Sequence, residues 1–153
     1  MKQPLRLLVV DDDRVIRRLW QIVAQESGLE VLEAGDPEHA RKLLESMTPT
    51  VIVLDVVFPE DTGLHFLQEL RHSDSWKTIP VIICSAIAER EIVLSFAREG
   101  ICHYLLKPFA LEEARERLRE VLRLRGLLPE PSSEQNSVDA EQQDTAHPPA
   151  PDP

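Results

Sequence analysis

The amino-acid sequence predicts an α/β fold, a doubly wound, five-stranded parallel sheet with helices on both faces. Three observations carry this. Five apolar runs of strand length alternate with five stretches of helical periodicity. Most strand runs are apolar on both faces rather than alternating with polar residues, and glycines and an Asp-Pro pair fall where helices should stop or start. Strands that are apolar on both faces must be covered from both sides, and strands separated by helices run parallel, so a three-layer sandwich is the economical solution.

The first strand is residues 5–10, interrupted only by Arg6, and it runs into Asp11, Asp12 and Asp13. The helix over 13–27 closes at Gly28, which suits the left-handed position just past a helix end. It carries two apolar stripes, Ile16-Trp20-Val23 and Val15-Leu19-Ile22, and only one can face the sheet. The second strand, 30–34, leads to a helix capped by Asp36, with Pro37 in its first turn, ending near 46. The third strand, 50–55, is followed by a loop over 56–63 and a helix over 64–72. Pro80 precedes the fourth strand, 81–85, and the next helix, about 89–99, stops at Gly100. The last strand, 101–106, passes through Lys107 and Pro108 into a helix over 111–125 that Gly126 ends. On that helix Arg115, Arg117, Arg119, Arg123 and Arg125 interleave with Glu112, Glu113, Glu116 and Glu120, the pattern of a solvated face with helical ion pairs.

A chain of 153 residues, 42% hydrophobic and 29% charged, suits one well-packed domain and is short for two. Its net charge of -10 disfavours direct nucleic-acid binding and adhesion to anionic membranes, which need clustered Lys and Arg. No apolar run approaches the roughly 20 residues of a membrane span and the N-terminus lacks a secretory leader, so a cytoplasmic protein without membrane insertion is expected. Cys84 and Cys102, each beside an apolar stretch, are expected to be reduced, buried thiols. Residues 128–153 hold six acidic residues and six of the twelve prolines, with no Lys or Arg. Such a segment cannot bury enough surface to offset its chain entropy, so the expected domain is residues 3–127, followed by a disordered acidic tail, 128–153.

In a doubly wound sheet, ligands bind outside the carboxyl ends of the strands, where strand order reverses. The unusual polar residues fall there: Asp11 and Asp12 after strand one, Asp55 at the end of strand three, Ser85 at the end of strand four, Lys107 after strand five. Carboxylates crowded in one cleft repel each other unless a cation is present, and Mg²⁺ (or Mn²⁺) suits a few carboxylates, a carbonyl and a phosphate oxygen. The same arrangement suits phosphoryl transfer to a carboxylate, with Lys107 and Ser85 placed to contact phosphate oxygens.

With these pieces in order, Leu7-Leu8-Val9-Val10-Asp11-Asp12-Asp13, Val51-Ile52-Val53-Leu54-Asp55 with Pro59 and Gly63, Ile82-Ile83-Cys84-Ser85-Ala86, and Tyr104-Leu105-Leu106-Lys107-Pro108-Phe109, the chain resembles the receiver domain of two-component response regulators. The resemblance implies a flavodoxin-like sheet in the order 2-1-3-4-5 and makes Asp55 the phosphoacceptor. It implies that Asp12, Asp55 and the Val57 carbonyl hold the metal directly, with Asp11 acting through water. It also makes Ser85 and Tyr104 a switch pair, the Lys107-Pro108 bond cis, and the stripe Val15, Leu19, Ile22 a kinase-docking surface. The implied partners are a sensor histidine kinase or phosphotransfer protein and a downstream protein. The chain departs from the pattern at Phe58, where Met is common, and at Thr62, which precedes Gly63 where Asp is common.

Two other functions are less well served. A phosphatase or phosphotransferase built on an Asp nucleophile needs a general-acid Asp two residues on, and that position is Val57. A phosphorylation-independent scaffold would not need Asp11, Asp12, Asp55, Ser85 and Lys107 together. The five histidines show no metal-binding spacing. Nothing after Gly126 is expected to form an output module, so a signal would pass by altered partner binding. Val57 and Ile87 beside the site offer no hydrogen bond to a hydrolytic water, which predicts a long-lived phosphorylated form.

Overall fold

The strands β1 (Arg6–Val10), β2 (Glu30–Ala34), β3 (Val51–Leu54), β4 (Val81–Ser85) and β5 (His103–Leu106) alternate with the helices α1 (Arg14–Glu26), α2 (Pro37–Ser46), α3 (Gly63–His72), α4 (Arg90–Arg98) and α5 (Leu111–Leu124). The structure, a computed structural model, describes residues 4–57, 63–101 and 103–128. Phe58, Pro59, Asp61, Thr62, Cys102 and the tail from 129 onward therefore lie outside the described residues. The chain divides into a unit Met1–Val121, which holds the sheet, and a unit Leu122–Pro153. Within the second, Gly126 takes a positive φ of 73° and the Leu127 N–H donates to the Leu122 carbonyl at 2.8 Å, so the glycine closes the helix as its lack of a Cβ allows.

All four strand pairings are parallel, in the order β2-β1-β3-β4-β5. Every residue of β3 and β4 is buried, as are four of the five in β1, which explains why these segments read as unbroken apolar runs. The edge strands differ: β2 exposes Glu30 and Glu33, and β5 exposes Leu106. On one face Leu8, Val10, Ile52, Leu54 and Ile83 pack into a core with Ala40 and Leu44 of α2, Phe66, Leu67 and Leu70 of α3, and Phe96 of α4. The alternate residues Leu7, Val9, Val53, Ile82 and Cys84 are equally buried and point to the opposite face. Each such Leu, Ile or Phe contributes about 1.5–3 kcal/mol through burial.

Helix α1 resolves the choice between its two stripes. Trp20, Val23 and Ala24 are buried, whereas Val15 is 65% and Ile22 37% exposed, with Leu19 half-buried between them. Asp13 caps this helix by accepting the Val15 N–H at 2.8 Å, and Asp36 caps α2 through the His39 N–H at 2.8 Å. On α5 the pairing departs from a purely helical pattern: Arg117 meets Glu120 at 3.6 Å, but Arg115 reaches across to Glu26 of α1 in a fork at 2.6 and 3.1 Å. Planar guanidinium donors favour such bidentate pairing over an intrahelical contact. No described helix is long and apolar enough to cross a membrane.

Candidate functional site

The chain leaves β1 toward β2 on one side and returns to β3 on the other, so the sheet's strand order reverses between β1 and β3. Their carboxyl ends lie in register, Val10 beside Leu54, which brings the residues that follow them, Asp11 and Asp55, side by side. Asp11, Asp12 and Asp55 each present a carboxylate oxygen within 4.8 Å of the others. Asp11 and Asp55 are buried, while Asp12 is exposed at the mouth.

Lys107 arrives from the end of β5 and places its Nζ 2.7 Å from Asp11 Oδ2 and 2.9 Å from Asp55 Oδ2. Its backbone is fixed in turn, because the Lys107 N–H donates to the Ser85 carbonyl at 2.8 Å. The peptide bond between Lys107 and Pro108 is cis. The second oxygens are also held: Asp55 Oδ1 accepts the Val57 N–H at 3.0 Å, and Asp11 Oδ1 accepts the Asp13 N–H at 2.9 Å. Asp13 supplies the helix cap, so Asp11 and Asp12 are free of that task.

Burial raises the Asp11 carboxyl above its ordinary range; hydrogen bonds from Lys107 and the Asp13 N–H pull it back, and the Asp55 charge adds to the rise. Burial alone would lower Lys107, but the hydrogen bonds and charges of Asp11 and Asp55 outweigh it and hold the ammonium above its usual value. Asp11 thus shifts upward through burial, and Lys107 through its two carboxylate partners. Three carboxylates against one lysine leave a negative cleft that a small hard cation fits, and the all-oxygen donor set is that of Mg²⁺ or Mn²⁺.

Gly63 closes the site from the α3 side. A Cβ on it would meet the Val56 Cα at 2.3 Å and the Asp55 carbonyl oxygen at 2.5 Å, and its N–H donates to the Val56 carbonyl at 2.9 Å. Only glycine lets the start of α3 approach this backbone so closely.

Ser85 is fully buried, and its Oγ accepts the Ile87 N–H at 3.4 Å. Tyr104 is half-buried, its ring lying 5.9 Å from that of Phe96 and its hydroxyl donating to the Ile87 carbonyl at 2.5 Å. Burial raises its phenol pKa, while the neighbouring Ser85 hydroxyl pulls the other way. The backbone of Ile87 thus links Ser85 and Tyr104. Val57, beside Asp55, is 51% exposed. Arg17 stands outside the sequence motifs yet touches the site, donating from Nη1 to the Asp11 carbonyl at 2.8 Å and from Nε to Glu33 Oε1 at 3.1 Å.

Comparison with known proteins places this geometry. The family described as the response regulator receiver domain matches residues 7–119. The KDP operon transcriptional regulatory protein KdpE of Escherichia coli is 36% identical over 119 residues, covering 76% of this chain and 51% of that protein. Response regulator MprA of Mycolicibacterium vanbaalenii is 37% identical over 123 residues, covering 78% and 51%. The chain thus spans about half the length of the curated relatives it matches. Among solved structures, chemotaxis response regulator CheY4 of Vibrio cholerae superposes with a TM-score of 0.72 at 28% identity, covering 78% of this chain and all of that one. The receiver domain of Francisella response regulator 1452 gives 0.71 at 30% identity, covering 80% and 99%. The acid cluster at the sheet's switch point, and a family match across nearly the whole described domain, lead to one conclusion: the chain belongs to the receiver-domain family of two-component response regulators, whose general function is a phosphorylation-dependent switch.

Proposed function

We propose that Asp55 is the phosphoacceptor of a two-component phosphorelay, supplied by the phosphohistidine of a sensor histidine kinase or phosphotransfer protein, and that the phosphorylated chain signals by altered binding to a downstream protein. The observation that carries this is Lys107 Nζ bridging Asp11 and Asp55 inside a three-carboxylate cluster. An Asp55 oxygen forms the bond to phosphorus as the phosphorus–nitrogen bond breaks, and the electron pair leaves on the donor imidazole. Lys107 then exchanges its hold on the carboxylate for a phosphate oxygen, and Ser85 donates its hydroxyl to another. Asp12, Asp55 and the Val57 carbonyl, with Asp11 through water, are the groups that would hold Mg²⁺ (or Mn²⁺). When bound, that ion neutralises charge on the transferring oxygens.

The chain's chemistry is confined to its own phosphorylation and dephosphorylation, and residues 3–127 suffice for it. The acidic charge argues against direct nucleic-acid contact, and the chain acts in the cytoplasm without membrane insertion on this reading. Incubation with Mg²⁺ and acetyl phosphate, followed by intact mass, tests the reading. A single phosphate adduct that disappears in Asp55→Asn is expected; no adduct on the native chain would favour a phosphorylation-independent scaffold.

A further inference from the structure

Helix α1 opens against its own electrostatics. Arg14, Arg17 and Arg18 fall within its first five residues and its first turn contains no acid, although the positive end of a helix dipole disfavours cations. Arg14 and Arg18 are exposed, so water screens them. The Arg17 side chain is only 18% exposed, and a residue that breaks a local rule while half-buried invites a tertiary reason.

Its contacts supply one. Arg17 Nη1 donates to the Asp11 carbonyl at 2.8 Å, and that carbonyl belongs to the same planar peptide as the Asp12 N–H. The Asp11 N–H is tied to the Ala34 carbonyl at 3.0 Å, and Arg17 Nε is anchored on Glu33 of β2 at 3.1 Å. By contrast, among the described residues nothing donates a hydrogen bond to the Asp12 carboxylate. The direction in which Asp12 leaves the strand is therefore set by the backbone, and the guanidinium braces that backbone against β2.

We infer that Arg17 is a positioning residue for the divalent-metal site, orienting the Asp11-Asp12 peptide so that Asp12 faces the cleft it shares with Asp11 and Asp55. This rests on the metal assignment proposed above. It makes a prediction opposite in sign to simple electrostatics, because deleting a cation beside an acid cluster should tighten Mg²⁺ binding. Loss of a group that orients a metal ligand should instead weaken it, by roughly tenfold or more.

The test is Mg²⁺ titration of the full chain without any phosphodonor, followed by the amide shifts of Asp12 and Asp13, for the native protein, Arg17→Met, Arg17→Lys and Glu33→Gln. Arg17→Met should bind roughly tenfold more weakly. Arg17→Lys, which keeps the charge but loses the planar fork, should also weaken binding and serves if the Met variant does not fold. Glu33→Gln removes only the ion pair and should stay within about twofold, since a partly exposed pair contributes little. Equal or tighter binding by either Arg17 variant overturns the inference while leaving the metal site intact. Failure of the native chain to bind Mg²⁺ overturns the metal assignment itself.

Discussion

Asp12 is the one acid of the cluster that is exposed, and its exposure separates its two possible contributions. It adds little to packing, so Asp12→Ala should leave the denaturation midpoint within about 0.5 kcal/mol of native, or raise it slightly by removing repulsion. Phosphorylation by acetyl phosphate should nevertheless fall at least tenfold, as it should for the native chain in chelator; a native rate in both cases would contradict the metal assignment. Gly63 is the reverse case. A methyl group there meets backbone rather than a movable side chain, so Gly63→Ala should cost about 1–3 kcal/mol in chemical denaturation. It should also shift the Asp55 and Val56 amides; a native midpoint would show that the loop yields freely. Val57 and Ile87 bear on decay. Neither side chain can orient an in-line water, so the phosphorylated form should persist, and Val57→Asn with Ile87→Glu should lose its phosphate on the order of tenfold faster. Decay of the native form as fast as that of the double variant would sink the idea.

At the scale of elements, the exposed stripe of α1 is an apolar surface without a core to join. Val15 and Ile22 are exposed on the same side of the helix that follows Asp12. Docking of a kinase's helical phosphotransfer domain there predicts that Val15→Glu with Ile22→Glu slows transfer from the cognate kinase by about tenfold, the loss of about 1.4 kcal/mol of contact. Labelling by acetyl phosphate, which needs no docking, should stay native; if both donors slow equally, the stripe supports the fold instead. This helix also shows what was legible in the sequence. Its span and the existence of two apolar stripes follow from local spacing and chemistry. Which stripe is buried does not, because Ile16-Trp20-Val23 and Val15-Leu19-Ile22 have the same period, and only the seating of Trp20 in the core decides. The same limit applies to pairing. The interleaved charges of α5 read as intrahelical, but the Arg115 to Glu26 fork depends on how two helices lie together. The central strands β1, β3 and β4 and the site acids were legible because burial on both faces leaves few alternatives to apolar residues. A lone polar residue at each strand end therefore stands out. Arg17 was not legible, since its partners are a backbone carbonyl and a residue on another strand.

Over the whole molecule the question is how a charge placed on Asp55 reaches a distant surface. Asp55 follows β3, Ser85 ends the neighbouring β4, and Tyr104 lies on β5 in register with Ile83. The Ile87 backbone joins the last two, accepting from Tyr104 through its carbonyl and donating to Ser85 through its N–H. A phosphate on Asp55 that draws the Ser85 hydroxyl toward itself removes the acceptor from the Ile87 N–H. The loop entering α4 must then find a new arrangement, while Tyr104, stacked on Phe96 of α4, moves with it or stays to fill the space. Because the core beneath is close-packed, such a change proceeds between discrete arrangements rather than by gradual deformation. The surface that reports it should be α4, β5 and α5, where Ile92, Leu94 and Leu106 are exposed and available to a protein partner. Addition of a phosphate mimic such as beryllofluoride with Mg²⁺ should therefore move the amide resonances of Ile87, Tyr104 and residues 89–104 together with those around Asp55. Tyr104→Ala should leave the shifts at Asp55 and Ser85 in place and abolish those along α4. If the mimic perturbs only the neighbourhood of Asp55, the switch does not run through Tyr104, and the downstream partner must read the phosphorylated cleft directly.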